Sequence, residues 1–201
     1  MTENYQKKLD SIINSLGNST PKLLLHSCCA PCSSYVVEYL SKHFDITVLY
    51  YNPNIDSLDE YLKRADEQQR LILEMPTTNP VKFICLPYDA ATYYAKISGL
   101  ENEKEGGARC TECFYLRLEK TAEKAKEVNY DYFATTLTIS PLKNAQVINS
   151  IGYELSKIYD IPWLPSDFKK LGGYKRSIEL SNIYNLYRQN YCGCVFSKNN
   201  N

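Results

Sequence analysis

The chain has 201 residues, enough for one domain with a substantial core and a single active site. Its 44% hydrophobic and 23% charged residues are ordinary globular composition, with no apolar run long enough to span a bilayer. Lysines plus arginines number 23, as do aspartates plus glutamates, which excludes a global field for nucleic acid and leaves any polyanion to a local patch.

In chain order, Ile12, Ile13 and Leu16 among charges predict a short amphipathic helix over 5–16, within an N-terminal extension that runs to residue 20. This stretch lacks the apolar segment and cleavage site of a secretory signal, so the expected location is the cytoplasm. Lys22-Leu-Leu-Leu-His26 reads as a buried strand. It runs straight into Ser27-Cys-Cys-Ala-Pro-Cys32, and the helical spacing that follows puts these cysteines on a strand-to-helix turn. Residues 45–51 form a second strand, closed by Asn52-Pro-Asn54, and 57–75 a charged amphipathic helix.

A third strand is expected at 81–86, helices near 89–98 and 110–128 on either side of a glycine-containing loop, and a fourth strand at 131–136. Ser140-Pro141 reads as an N-cap and first helical position, with helix continuing over 142–159. A short fifth strand at 161–164 and a helix over 174–187 complete the pattern. Alternating strands and helices imply an α/β fold, a mostly parallel sheet in a Rossmann-like three-layer arrangement, with the site at the carboxyl ends of the strands. The expected organisation is the extension 1–20, a single catalytic domain 21–197 and a disordered tail 198–201.

Seven of the eight cysteines fall in three tight clusters: Cys28, Cys29 and Cys32; Cys110 and Cys113; Cys192 and Cys194. A reducing compartment disfavours structural disulfides, which leaves metal binding or redox catalysis. Cys29 with Cys32 and Cys110 with Cys113 are both Cys-x-x-Cys pairs at helix starts, and four thiolates suit a [4Fe-4S] cluster or a tetrahedral zinc. The separation of the pairs argues against a zinc ribbon, and Cys28, Cys192 and Cys194 exceed one centre's need, which points to two metal centres. Cys85 reads as a buried apolar residue. Two rivals stand beside this reading: a thiol–disulfide oxidoreductase built on Cys29-Ala-Pro-Cys32, and a zinc-stabilised RNA-binding module.

The chain closely resembles the QueH-type epoxyqueuosine reductases. The residues that carry the resemblance are His26-Ser-Cys-Cys-Ala-Pro-Cys32, Tyr51-Asn-Pro-Asn-Ile55 with Glu60, Tyr61 and Arg64, Arg109-Cys-Thr-Glu-Cys113, Thr135-Thr-Leu137 with Ser140, Pro141, Lys143 and Asn144, and Tyr187-Arg-Gln-Asn-Tyr-Cys-Gly-Cys-Val-Phe-Ser197. The resemblance spans residues 22–197 and implies reduction of the epoxide of epoxyqueuosine in the tRNA anticodon, with a [4Fe-4S] cluster and a second mononuclear metal ion, iron. It implies that Cys29, Cys32, Cys110 and Cys113 hold the cluster and that Cys28, Cys192 and Cys194 serve the second metal.

Net loss of the epoxide oxygen requires two electrons, two protons and stabilisation of the departing oxygen. Cys28, Tyr51 and Tyr191 are the candidate catalytic residues, with His26 a further source of a proton. No GxGxxG or Walker motif occurs, so electrons are expected from a separate ferredoxin- or flavodoxin-like donor. Asn52, Asn54, Arg64, Arg117, Lys143 and Arg188 are candidates for contact with substrate or tRNA. Arg117 shares a helix face with Cys110 and Cys113, and Lys143, placed in a helix's first turn, fits there only with an anionic ligand. Lys169, Lys170, Lys175, Arg176 and Arg188 make the C-terminal third locally basic, and Tyr51 or Tyr187 is positioned to stack an extruded nucleotide.

Overall fold

The structure is a computed structural model that describes residues 3–198. A helix α1 (Tyr5–Ser15) precedes β1 (Lys22–Ser27), α2 (Ala30–Leu40), β2 (Asp45–Tyr50), α3 (Leu58–Glu74), β3 (Val81–Cys85), α4 (Ala90–Lys96) and α5 (Ala108–Glu127). Then come β4 (Tyr132–Thr135), a 3-10 turn (Leu137–Ile139), α6 (Ala145–Tyr159), α7 (Gly173–Ile183) and α8 (Val195–Lys198). Among the described residues no helix is long and apolar enough to cross a membrane.

The four strands pair in the order β3-β2-β1-β4, all parallel. Alternation along β1 sends Leu23 and Leu25 into a core with Val36, Val37 and Leu40 of α2, and Leu24 into a second core with Phe114 and Leu118 of α5 and Ile148 of α6. Helices therefore cover both faces, as the alternating pattern predicts. The strand order reverses at β1, which has β2 on one side and β4 on the other. Ligands in open parallel sheets bind outside the carboxyl ends at such a switch point.

Three expected elements are corrected. The helix expected from Ser140-Pro141 begins at Ala145, because Asn144 is the cap: its side chain accepts from the N–H groups of Gln146 and Val147. Lys143 therefore precedes the helix instead of opposing its dipole. The fifth strand at 161–164 shrinks to one bridge between Phe133 and Trp163, since Pro162 and Pro165 on either side have no N–H to continue a ladder. The helix expected over 174–187 stops at Ile183, where Asn185 turns left-handed and Leu186 N–H donates to the Ser181 carbonyl. That stop releases residues 187–198 to cross to α3.

Cys85, expected buried, is exposed at the end of β3, which is an edge strand. Lys198, assigned by sequence to the tail, closes α8 and pairs with Asp56 Oδ2 at 3.0 Å; residues 199–201 of that tail lie outside the described residues.

Candidate metal centre

The first cysteine cluster sits where β1 hands over to α2. Cys29 is the N-cap of α2 and Pro31 lies in its first turn, so the chain turns sharply just past the sheet edge. Cys28 faces the neighbouring strand: its N–H donates to Thr136 Oγ1 at 3.3 Å, and its Sγ lies 3.6 Å from that hydroxyl and 3.9 Å from Cys29 Sγ. The sulfurs of Cys28, Cys29 and Cys32 lie within 4.8 Å of one another, a group that could hold a metal ion.

The second pair lies in the first two turns of α5. Gly106 N–H donates to Cys110 Sγ at 3.2 Å. The loop that carries it is clamped by Arg109 Nη1, which donates to the carbonyls of Leu100, Glu101 and Glu103. Arg117, one turn beyond Cys113, is buried; its Nε donates to Cys113 O at 3.0 Å and its Nη1 to Asn52 Oδ1 at 3.4 Å.

Cys192 and Cys194 bring their sulfurs to 3.5 Å, and the Ser197 hydroxyl lies 3.1 and 3.5 Å from them. Gly193 adopts φ +116, a region closed to other residues, which folds the two thiols to one side.

All seven of these cysteines line one cavity of about 210 Å³, together with Arg117 and Lys143. Three segments far apart in sequence thus converge at the switch point. The donor set is sulfur, which suits soft metals such as iron–sulfur centres and zinc. Arg109, Arg117 and Lys143 face a single lining carboxylate, Glu105, so the wall carries positive charge that offsets several thiolates.

Hydrogen bonds from Cys29 and Cys32 hold the Cys28 thiol well below the ordinary range, and Cys29 itself rises to about 11. A bond from Cys194 likewise lowers Cys192 to about 5, against burial, while burial lifts Cys113 to about 11. Burial opposes charge on Arg117 and Lys143, but nearby cysteines outweigh it and keep both cationic.

A family model described as epoxyqueuosine reductase QueH matches residues 23–200. The chain belongs to the epoxyqueuosine reductase QueH family. Relatives named epoxyqueuosine reductase QueH include one from Staphylococcus epidermidis, 48% identical over 200 residues that cover 96% of this chain and 84% of the relative. One from Streptococcus pyogenes is 50% identical over 179 residues, 88% of this chain and 70% of the relative. One from Thermotoga maritima is 33% identical over 175 residues, 87% and 89% of the two chains.

Within this QueH-family site, Tyr191 lines the cavity, donates to Asp56 Oδ1 at 3.2 Å, and is raised to about 12 by burial. Lys143 also lines it. Tyr51 does not: it is the first residue beyond β2, and its side chain lines a separate cleft with Leu86, Asp89 and Glu119. His26 is buried, bonded to Thr135 Oγ1 and the Tyr51 carbonyl, and held at about 3 by burial and by Arg117, so it is neutral and does not reach the cavity.

The candidates for substrate contact divide. Asn52 is buried and donates to the Ser27 carbonyl at 2.9 Å. Asn54 is buried beside Gly193. Arg64, 2% exposed, pairs with Glu60 at 2.7 Å and reaches the Cys192 carbonyl at 3.5 Å. These three support the cavity wall from behind. Arg188 is exposed, outside the cavity, and donates to Ser181 Oγ. Tyr187 donates its hydroxyl to Glu60 and lies under the Lys63 ammonium, away from the cavity.

Much of the basic C-terminal third is internally paired: Lys169 and Lys170 with Asp167, Arg176 with Glu38 and Glu179. Sequence reasoning passed over Tyr93 and gave Ser197, the last residue of the segment around Cys-Gly-Cys, no role, yet both line the cavity. Ser197 had a local signal, three residues after Cys194 in a helical turn; Tyr93, from α4, had none.

Proposed function

We propose that the chain reduces the epoxide of epoxyqueuosine in the tRNA anticodon to give queuosine, with a [4Fe-4S] cluster and a second metal ion, iron, held by its cysteines. The observation that carries this reading is the convergence of seven cysteines on one cavity in a member of the QueH family. Cys29, Cys32, Cys110 and Cys113 would hold the cluster, and Cys28, Cys192 and Cys194 the second ion. When bound, these groups supply electrons singly and a Lewis acid for the departing oxygen.

The chain's own residues bind, orient and shield. Arg117 and Lys143 offset thiolate charge from inside, and Lys143, half-buried at the wall, also attracts the phosphate of an entering nucleotide. Tyr191 is the candidate proton donor that lines the cavity, its hydroxyl oriented by Asp56. Ser197 steadies the Cys192–Cys194 pair. Overall, epoxide plus two electrons and two protons gives the alkene and water, the electrons arriving from a ferredoxin- or flavodoxin-like donor.

Anaerobic purification followed by iron and sulfide analysis tests the centre, and reductant-dependent conversion of epoxyqueuosine-containing tRNA tests the activity. Brown protein with about four or more irons per chain and active conversion is the expected result. Colourless protein with stoichiometric zinc, or metal-free protein that forms a Cys29–Cys32 disulfide, overturns it in favour of an RNA-binding module or a dithiol oxidoreductase.

A further inference from the structure

The turn between the 3-10 segment and α6 presents Leu142 to solvent with 82% of its surface exposed, although it lines the mouth of the cysteine cavity. Its neighbours on the rim are polar: Ser140, Lys143, Gln189 and Asn190. Its backbone N–H is satisfied by Ser140 Oγ, and the next residue, Lys143, closes the turn by donating its N–H to the Ser140 carbonyl. The side chain is in none of the apolar clusters that build the core. A large apolar group held out on a short, hydrogen-bonded turn at an active-site rim stabilises nothing in the free protein.

The cavity, about 210 Å³, is smaller than the roughly 300–1,000 Å³ of a typical small-molecule site. The proposed metal centres would take part of that volume, and Cys29, Cys113 and Cys194 are only 3%, 8% and 5% exposed, so the reacting group must reach a recessed site that a folded RNA loop cannot enter. A nucleotide that reacts inside must therefore leave its stack, and its neighbours remain at the rim with an apolar face uncovered. Apolar side chains fill such gaps in other nucleic-acid complexes and block restacking.

Resting on the reductase reading, we infer that Leu142 is a wedge: it packs against the base adjacent to the extruded nucleotide and holds the anticodon loop open while the reacting group occupies the cavity. Lys143 turns inward towards the thiolates and Leu142 outward, so one turn serves the cavity and its rim. Leu142 is a positioning residue that contributes apolar contact to RNA binding and no chemistry.

The test uses the anaerobically loaded full chain and an anticodon hairpin that carries 2-aminopurine beside epoxyqueuosine. Wild-type protein should raise the 2-aminopurine fluorescence on binding, reporting loss of stacking. Leu142→Ala should blunt that rise and increase KM for the hairpin about tenfold with kcat little changed, while Leu142→Met retains wild-type behaviour. Because the contact is apolar, the KM ratio should hold from low to high salt, unlike a lost phosphate contact. Wild type that reduces the epoxide, with fluorescence and KM unaltered in Leu142→Ala, overturns the wedge and leaves the reductase reading standing. Wild type that opens the hairpin through Leu142 but reduces nothing overturns the reductase reading instead.

Discussion

Asp56 donates its backbone N–H to the carbonyl of Gly193 at 2.9 Å, joining the loop after β2 to the Cys-Gly-Cys turn at the other end of the chain. That turn tolerates no side chain. At φ +116 an added Cβ would lie 3.0 Å from Ile55 Cγ1, 3.2 Å from Arg64 Nη1 and 3.4 Å from Asn54 Nδ2. Gly193→Ala should cost about 1–3 kcal/mol in backbone strain alone, read as a lower Tm. It should also weaken the second metal site proposed for Cys192 and Cys194, read as a lower iron content in loaded protein.

Arg64 supports the same turn from below through a buried ion pair with Glu60. Removing one partner strands the other, so Arg64→Met should destabilise by about 3 kcal/mol in urea unfolding. Arg64→Lys should recover little of this, because a single ammonium cannot serve Glu60 and the Cys192 carbonyl in the same geometry.

The cysteines should separate cleanly by metal content. Cys29→Ala should abolish the visible absorbance of reconstituted protein, and Cys192→Ala should lower iron while leaving most of that absorbance. Cys85→Ser, on the exposed end of β3, should leave metal content and epoxide reduction unchanged. A loss of iron in Cys85→Ser would refute the assignment of the centre to the other seven.

Glu67 ties the crossing segment to α3, accepting from the Tyr187 N–H at 2.6 Å and from Arg70. The Arg70 hydrogen bonds, and then the Tyr187 N–H, pull its carboxyl below the ordinary 4.5. A lowered folded value means stability that is fully present above 4.5 and is lost as pH falls through the folded value. Wild type should therefore lose more stability than Glu67→Gln on titration from neutral pH to below this window, read as a converging pair of urea midpoints.

Much of the architecture follows from the sequence by itself. Short apolar runs at β1, β2 and β4, amphipathic spacing in α3 and α5, and the Cys-x-x-Cys pairs are signals between near neighbours, which is where periodicity, capping and ligand spacing act. The face shared by Cys113 and Arg117 was legible for the same reason: three and four residues along a helix are adjacent in space.

What only the tertiary structure decided are relationships between distant segments. The start of α6 depended on which of Ser140 and Asn144 captured the first N–H groups. Tyr51 and Tyr191 look alike in sequence, yet one faces a separate cleft and the other the cysteines. Arg64, an ordinary charge on an amphipathic helix, became buried because the segment carrying Cys192, 128 residues away, folds down onto it. Spacing along a chain specifies which groups can share a face. Which face is then covered, and by what, is set by the packing of the rest.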